Sequence, residues 1–182
     1  MKTLIFTASP NKQGNTEIMT KAFLEKLSGE SYVINSYNVN IEPCIDCKFC
    51  YSNEGECSIK DDMTKIYQLI EESDNIVVFS PMYFASYPGT FKNIIDRTQI
   101  YWSKKHILNI KENKKRRGIL FINAGSEWEG MFNHMEKMFK YFMKGLNGEL
   151  VYNLYVPNTD NFSVKENNEV IEKIYNIAKK IS

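Results

Sequence analysis

Several common functional signatures are missing from this chain, and each absence excludes a class of protein. There is no G-x-G-x-x-G run for a dinucleotide and no G-x-x-x-x-G-K-[ST] run for a nucleoside triphosphate. The only two histidines, His106 and His134, have no serine or cysteine and carboxylate arranged as a catalytic triad, so we expect both at the surface. No apolar run approaches the length of a membrane span, and residues 2–7 read as a strand rather than a signal sequence. We therefore expect a cytoplasmic protein with no membrane partner.

The chain also lacks a large excess of positive or negative charge. The chain has 23 Lys and Arg against 22 Asp and Glu, a net charge of +1, so no overall field attracts nucleic acid. One basic run, Lys111–Arg117, is interpreted as a solvated turn. A chain of 182 residues that is 43% hydrophobic can bury one core. We expect a single domain over residues 1–182 with a cysteine-rich loop at about 43–60.

Strand and helix patterns alternate along the whole chain. Predicted strands cover Thr3–Thr7, Tyr32–Tyr37, Asn75–Ser80, Gly118–Asn123 and Glu149–Pro157. Predicted helices begin at Asn15 and after Asp61 and Asp62, and cover Gly89–Trp102, Met131–Leu146 and Glu166–Lys180. This alternation predicts an α/β, doubly wound fold around a five-stranded parallel sheet.

In such a fold, ligands bind beyond the carboxyl ends of the strands. That rule selects three loops: Ser9–Thr16, Pro81–Pro88 and Asn123–Gly130. The fold alone does not give the function, so the residues of each loop must be considered.

The first loop reads S-P-N-K-Q-G-N-T and leads into a helix start, where backbone N–H groups are free to bind an anion. Its candidate ligand-binding residues are Ser9, Asn11, Gly14, Asn15 and Thr16. With Lys12 as its only cation, the loop suits a phosphate monoester held through hydrogen bonds. The alternative is that Asn15 or Thr16 only caps the helix and Gly14 only turns the chain.

The other two loops differ in character. The second carries Met82, Tyr83 and Phe84 where the chain leaves the sheet, which favours contact with a flat ligand, although such rings also pack beneath loops. The third, beginning Asn123-Ala-Gly, is small and suited to N–H contacts with the polar edge of a ring. Trp128 there either covers a ligand or packs in the ordinary way.

Taken together, the runs S-P-N-K-Q-G-N-T, S-P-M-Y-F and N-A-G resemble the NAD(P)H-dependent FMN reductase group of the flavodoxin-like superfamily. The resemblance covers nearly the whole chain and implies a flavodoxin-like sandwich with strand order 2-1-3-4-5. It implies that FMN is the cofactor, with its phosphate in the first loop. It also implies that the isoalloxazine lies beside Pro81, Met82, Tyr83 and Phe84, and that Asn123, Ala124 and Gly125 contact the pyrimidine edge. The third loop usually reads Thr-Gly-Gly or similar in this group, so Asn123-Ala124-Gly125 is a departure.

All four cysteines lie in one stretch, Cys44, Cys47, Cys50 and Cys57. In a cytosolic protein such clustering indicates metal ligands or redox-active thiols rather than structural disulfides. The spacing C-x2-C-x2-C-x6-C resembles the iron-sulfur flavoproteins of the same superfamily, which implies a [4Fe–4S] cluster near the flavin. Zinc and free thiols remain open as alternatives.

The leading hypothesis is an FMN-dependent oxidoreductase for small-molecule electron donors or acceptors. The resemblance implies NADH or NADPH as co-substrate, and no catalytic side chain is assigned because the flavin itself performs the chemistry. One alternative is an electron carrier that passes electrons from ferredoxin through the cluster to FMN. Another is a non-catalytic module that holds zinc on its cysteines. The resemblance also implies a homodimer or homotetramer.

Overall fold

The computed structural model describes all residues, 1–182, and contains five strands that alternate with helices. The strands are β1 (Lys2–Thr7), β2 (Glu30–Asn35), β3 (Asn75–Pro81), β4 (Arg116–Asn123) and β5 (Gly148–Val156). The α-helices are α1 (Asn15–Lys26), α2 (Met63–Glu72), α3 (Gly89–Arg97), α4 (Gln99–His106), α5 (Asn133–Gly145) and α6 (Asn168–Ile181). Two short 3-10 helices cover Phe49–Tyr51 and Val164–Glu166.

The five strands form one parallel sheet in the order β2-β1-β3-β4-β5, which confirms the predicted sheet and strand order. In the register of the sheet, Thr7 lies opposite both Asn35 and Phe79, and Pro81 lies opposite Asn123. Because every strand runs the same way, the loops after β1, β3 and β4 all emerge at one edge. This edge is called the carboxyl edge below.

Each face of the sheet buries its own hydrophobic core. Ile5, Val77 and Phe121 point towards α1 and α6, while Phe6 and Val78 point towards α2, α3 and α5. Every residue of β3 is buried, as expected of an uninterrupted apolar strand covered on both faces. The two cores together hold the helices, and therefore the loops of the carboxyl edge, in fixed positions.

Most element boundaries differ from the sequence prediction by one or two residues, and two differences have a side-chain cause. The predicted helix over Gly89–Trp102 is two helices, α3 and α4, that meet at Thr98. The Thr98 hydroxyl donates to the Ile95 carbonyl (2.6 Å), and the backbone of Thr98 has a ψ of 3°, which lies outside the α-helical range. Strand β2 ends at Asn35 rather than Tyr37, because the Asn35 Oδ1 accepts the Tyr37 N–H (2.9 Å) and turns the chain. No helix has both the length and the apolar character needed to cross a bilayer.

Candidate functional site

The first loop folds through its own side chains. The Ser9 hydroxyl accepts the Asn11 N–H (3.2 Å), and the Asn11 Oδ1 accepts the Gln13 N–H (3.0 Å). A Cβ placed on Gly14 would lie 3.0 Å from the Asn11 Nδ2, so glycine lets the Asn11 side chain lie against the backbone at the start of α1. Two of the predicted phosphate-binding side chains, Ser9 and Asn11, therefore also shape the loop that carries them.

The start of α1 leaves several backbone donors free. No side chain caps the helix, and its first internal bond runs from the Ile18 N–H to the Gly14 carbonyl (3.1 Å). The N–H groups of Asn15, Thr16 and Glu17 consequently have no protein acceptor. Such groups, at the positive end of the helix dipole, are suited to bind an anion.

The side chains of Asn15 and Thr16 are partly engaged within the protein. The Asn15 Oδ1 accepts the Val164 N–H (2.9 Å) and the Ser163 hydroxyl (3.1 Å), which leaves the Nδ2 hydrogens free. The buried Thr16 hydroxyl donates to the Asn123 Oδ1 (2.7 Å). The hydroxyl hydrogen of Thr16 is therefore already used in the bond to Asn123. The backbone N–H of Thr16 is the donor that remains for a ligand.

The second loop is a tight turn with an unusual composition. Tyr83 and Ser86 exchange backbone hydrogen bonds (2.9 and 3.0 Å), while Phe84 and Ala85 between them have φ of +49° and +58°. Left-handed φ at two successive non-glycine residues costs about 1–2 kcal/mol each. The Phe84 ring is fully exposed and Tyr83 is 46% exposed, so neither packs beneath the loop. Burial raises the pKa of the Tyr83 phenol, and the nearby Tyr37 hydroxyl adds to the effect.

The third loop is fastened to the loop that follows β5. The Ala124 N–H donates to the Val156 carbonyl (2.9 Å). It is therefore not free to bind a ligand, although the sequence predicts N–H contacts from this loop. The Gly125 N–H has no protein acceptor. A Cβ on Gly125 would lie 2.3 Å from the Asp160 Oδ2, so only glycine allows this carboxylate to lie against the loop. Trp128 is half exposed.

Sequence reasoning did not include Tyr37, at the start of the loop after β2, or the loop after β5 in the site. Tyr37 and Phe162 are partly exposed aromatic residues in those loops, and Asp160 contacts Gly125. The carboxyl-edge rule selects these loops too, because each follows a strand of the same parallel sheet. Their aromatic residues were the signal that could have identified them.

The four cysteines share one small cavity of about 30 Å3, whose wall also includes Arg97 and Ile100. Cys44 and Cys47 are exposed, Cys50 and Cys57 are half-buried, and none forms a disulfide. No three side chains of the His, Cys, Asp and Glu types stand in positions that would hold a metal ion. The donor set of four soft thiols on one cavity nevertheless matches the chemistry of an iron-sulfur or zinc site.

The pKa values of two of the thiols are shifted in opposite directions. A contact with the Ser58 hydroxyl (3.2 Å) lowers the pKa of the exposed Cys47. Burial instead raises the pKa of Cys50. The Ser103 hydroxyl donates to the Cys50 carbonyl (2.7 Å), which joins the cysteine segment to α4.

An ion pair between Arg97 and Asp61 lies beside the cysteine cavity, with side-chain exposures of 1% and 7%. Arg97 donates through Nη1 to Asp61 (2.7 Å) and to the Glu42 carbonyl (2.9 Å), and through Nη2 to the Ile59 carbonyl (3.1 Å). It therefore holds the chain just before the first cysteine and just after the last. Burial alone would lower the pKa of Arg97, but the Asp61 carboxylate raises it above its usual value.

Asp61 does more than begin α2, which was its expected role. It accepts the Met63 N–H (3.0 Å) and the Glu42 N–H (3.0 Å) besides pairing with Arg97. Burial favours the neutral carboxyl, yet these donors outweigh it and lower the pKa of Asp61. Arg97 was missed, although its three-residue spacing from Phe91 and Ile94 on the buried face of α3 was a signal for an internal cation.

A cavity of about 600 Å3 lies at the opposite end of the sheet from the candidate site. It is lined largely by charged and amide side chains, among them Lys104, Lys111 and Asn147, and contains no predicted site residue. Both histidines are exposed, as expected. The residues singled out from the sequence thus lie at the carboxyl edge and in the cysteine segment.

The parallel sheet in the order 2-1-3-4-5, with an open helix start and an aromatic turn at its carboxyl edge, defines a flavodoxin-like α/β protein. The model of the NADPH-dependent FMN reductase family matches residues 1–157. The chain belongs to this family.

Curated proteins similar in sequence to this chain include several named iron-sulfur flavoprotein. An iron-sulfur flavoprotein of Archaeoglobus fulgidus is 37% identical over 103 residues, and one of Methanosarcina thermophila is 30% identical over 113 residues. These alignments cover 55% and 61% of this chain, but only 50% and 59% of the relatives. The chain therefore spans between half and three fifths of the length of these curated relatives.

Solved structures resemble the fold at low identity. An NAD(P)H:quinone oxidoreductase from Methanothermobacter marburgensis has a TM-score of 0.81 at 15% identity, covering 100% of this chain and 96% of its own. An FMN-dependent NADH-azoreductase from Bacillus anthracis, in complex with FMN, has a TM-score of 0.66 at 14% identity, covering 100% and 99%. At these identities the likeness is one of fold.

Proposed function

We propose that this protein is an FMN-dependent oxidoreductase that holds FMN non-covalently at the carboxyl edge and takes electrons from NADH or NADPH. The single observation that carries the proposal is that unpaired backbone donors and exposed aromatic rings share this edge. The N–H groups of Asn15, Thr16 and Glu17 have no acceptor, and Tyr83 and Phe84 have no covering partner. One set suits a phosphate and the other a flat ring.

The phosphate would be held by hydrogen bonds rather than by several ion pairs. The helix start offers three backbone N–H groups, and the Nδ2 of Asn15 is free to donate because its Oδ1 is fixed by Val164. Lys12 is the one cation of the loop. Ser9, Asn11 and Gly14 would act mainly by shaping the loop, and Thr16 through its backbone.

The ring would lie beside the second loop, from Pro81 to Phe84, with its polar edge towards the third. The free Gly125 N–H is the candidate donor there, while Asn123 and Ala124 hold the loop in place. When bound, the flavin supplies hydride and electron transfer. The chain orients the ring and shields one side of it from water, and no side chain is required as acid or base.

The direct test is purification under anaerobic conditions with quantification of flavin and a visible spectrum. We expect one FMN per chain and bleaching of the flavin absorbance on addition of NADH or NADPH. Protein that carries no flavin and takes up no added FMN would contradict the proposal. Protein that binds FMN but is reduced only by ferredoxin would contradict the nicotinamide part alone.

A second candidate function is electron transfer through an iron-sulfur cluster on Cys44, Cys47, Cys50 and Cys57. The specific observation in its favour is that all four thiols line one cavity and none is in a disulfide. The relatives named iron-sulfur flavoprotein support it. Iron and acid-labile sulfide in anaerobically purified protein, with reduction by ferredoxin, would support this candidate. Stoichiometric zinc without iron would contradict it.

We further propose that the single domain assembles as a homodimer or homotetramer. Phe84, Trp128 and Phe162 are large side chains left exposed around one edge, where a second chain would cover them together with the flavin. Light scattering at micromolar concentration tests the assembly. A monomer that retains bound FMN would contradict it without affecting the flavin assignment.

A further inference from the structure

Two buried side-chain nitrogens have no hydrogen-bond partner in the whole protein, the Arg97 Nε and the Arg116 Nη2. The Arg116 Nη2 lies 2.6 Å from the Glu112 Oε1, so its charge is compensated by a carboxylate. The Arg97 Nε has no such neighbour. It is the one buried side-chain nitrogen with neither a hydrogen bond nor an ion-pair contact.

The position of Arg97 indicates where its missing acceptor belongs. Its side chain is 1% exposed and forms part of the wall of the cysteine cavity. The terminal nitrogens are taken by Asp61 and by the carbonyls of Glu42 and Ile59, which fixes the plane of the guanidinium. Buried donors in native proteins almost always have an acceptor. All four cysteines line this cavity, so their sulfur atoms, or those of a group bound to them, can supply that acceptor.

We propose that Arg97 is a positioning residue of the cysteine site, whose Nε hydrogen donates to a sulfur of the group held there and whose charge makes that group easier to reduce. The inference rests on the second candidate function, an iron-sulfur group on the four cysteines. A hydrogen bond to cluster sulfur and a nearby positive charge both stabilise the more negative, reduced form. The same guanidinium holds both ends of the cysteine segment, so the donor stays in place while the group changes charge.

The test compares three variants of the full chain, each reconstituted anaerobically with iron and sulfide. Arg97→Lys keeps a cation beside Asp61 but removes the Nε donor and the forked geometry. Arg116→Lys is the matched control, because Arg116 is equally buried and bonded to carbonyls but does not line the cysteine cavity. Asp61→Asn weakens the hold on the segment while leaving the Arg97 donor in place.

Iron and sulfide per chain, FMN per chain and the midpoint potential of the iron-sulfur chromophore are measured for each. We expect Arg97→Lys to retain iron but to shift the reduction equilibrium at least tenfold towards the oxidised form, about 59 mV for one electron. Arg116→Lys should leave the potential unchanged, and Asp61→Asn should not lower it. Iron loss that is equal in Arg97→Lys and Asp61→Asn would reduce Arg97 to a purely mechanical role and overturn the proposal.

Three further outcomes would also overturn it. These are an unchanged potential in Arg97→Lys, an equal shift in Arg116→Lys, and wild-type protein that takes up no iron. Flavin content is read separately on the same samples. Protein with iron but no FMN would refute the proposed oxidoreductase function and leave the role of Arg97 standing, so the two failures are distinguishable.

Discussion

The hydroxyl of Thr16 donates a buried hydrogen bond of 2.7 Å to the side-chain oxygen of Asn123, 107 residues further along the chain. The backbone carbonyl of the same Asn123 accepts the N–H of Met82 (2.8 Å). Asn123 thus joins the first, second and third loops of the carboxyl edge. The parts of the site proposed to bind the phosphate and the ring are held at a fixed separation by this one residue.

Replacing Thr16 with Val should disturb both stability and flavin binding. The change removes the donor and leaves the buried Asn123 Oδ1 unpaired, which costs about 1–3 kcal/mol in the free energy of unfolding. Urea unfolding of flavin-free protein and FMN titration by fluorescence measure the two effects. Thr20→Val is the matched control, because the Thr20 hydroxyl donates only to the Thr16 carbonyl within α1. Equal FMN affinities in the two variants would refute the coupling, and Thr16→Ser should restore it.

Asn15→Asp should separate phosphate binding from folding. Aspartate keeps the oxygen that accepts from Val164 and Ser163, and a negative charge suits the start of α1. The free amide donor becomes an anion beside the proposed phosphate, so we expect FMN affinity to fall at least tenfold, about 1.4 kcal/mol, without loss of stability. Asn167→Asp, the same change at the start of α6, is the control. Unaltered FMN affinity in Asn15→Asp would place the phosphate elsewhere.

Ala85→Gly should stabilise the protein, because it relieves a left-handed conformation. The φ of Ala85 is +58°, and the gain of about 1–2 kcal/mol is partly offset by the 0.5–1 kcal/mol that glycine loses in chain entropy. A net rise of about 0.5–1 kcal/mol is expected in thermal or urea unfolding. Ser86→Gly, in the same turn but without positive φ, should show only the entropic loss. A destabilised Ala85→Gly protein would show that the turn is not strained.

The Arg97–Asp61 pair should make stability depend on pH in the acid range. The folded-state pKa of Asp61 lies below its unfolded value of about 3.9, so its contribution is complete above that pH. It is lost as pH falls through the lower, folded-state pKa. Asp61→Asn removes this dependence and, by leaving a buried cation unpaired, costs about 3–5 kcal/mol at pH 7. Unfolding curves between pH 7 and pH 2.5 measure both effects.

Asp62→Asn is the control for this experiment. The Asp62 carboxylate is exposed and accepts only the Asn40 N–H (2.8 Å). The free energy of unfolding of Asp62→Asn protein should therefore fall at acid pH in the same way as that of the unmodified protein. Asp61→Asn protein with an unaltered acid limb would mean that the ion pair contributes nothing to the pH dependence.

The fold could be predicted because its signals are local. The apolar run from Asn75 to Ser80 and the alternation of strands and helices suffice for a parallel sheet, and the resemblance supplied its order. The carboxyl-edge rule then placed the loops after β1, β3 and β4 together. These inferences need only short segments and general topology.

The detail of the site was not predictable, because its hydrogen bonds join distant parts of the chain. Nothing local shows that the Asn15 Oδ1 will meet Val164, or that the Thr16 proton will go to Asn123. The double role of Asn15, as both structural acceptor and free donor, follows only from the packed structure. Arg97 left a faint periodic signal, but its partners come from three separate segments.

The hold of Arg97 on the carbonyls of Glu42 and Ile59 makes the intervening stretch, residues 43–58, an excursion pinned at its base. Insertions or deletions between its cysteines would change the loop's closure entropy by about 0.6 kcal/mol for each doubling of length, besides any effect on the bond between Ser103 and the Cys50 carbonyl. The sheet would not be affected, since both anchoring points stay where they are. A different set of side chains can therefore be grafted onto the same two anchoring points by protein engineering.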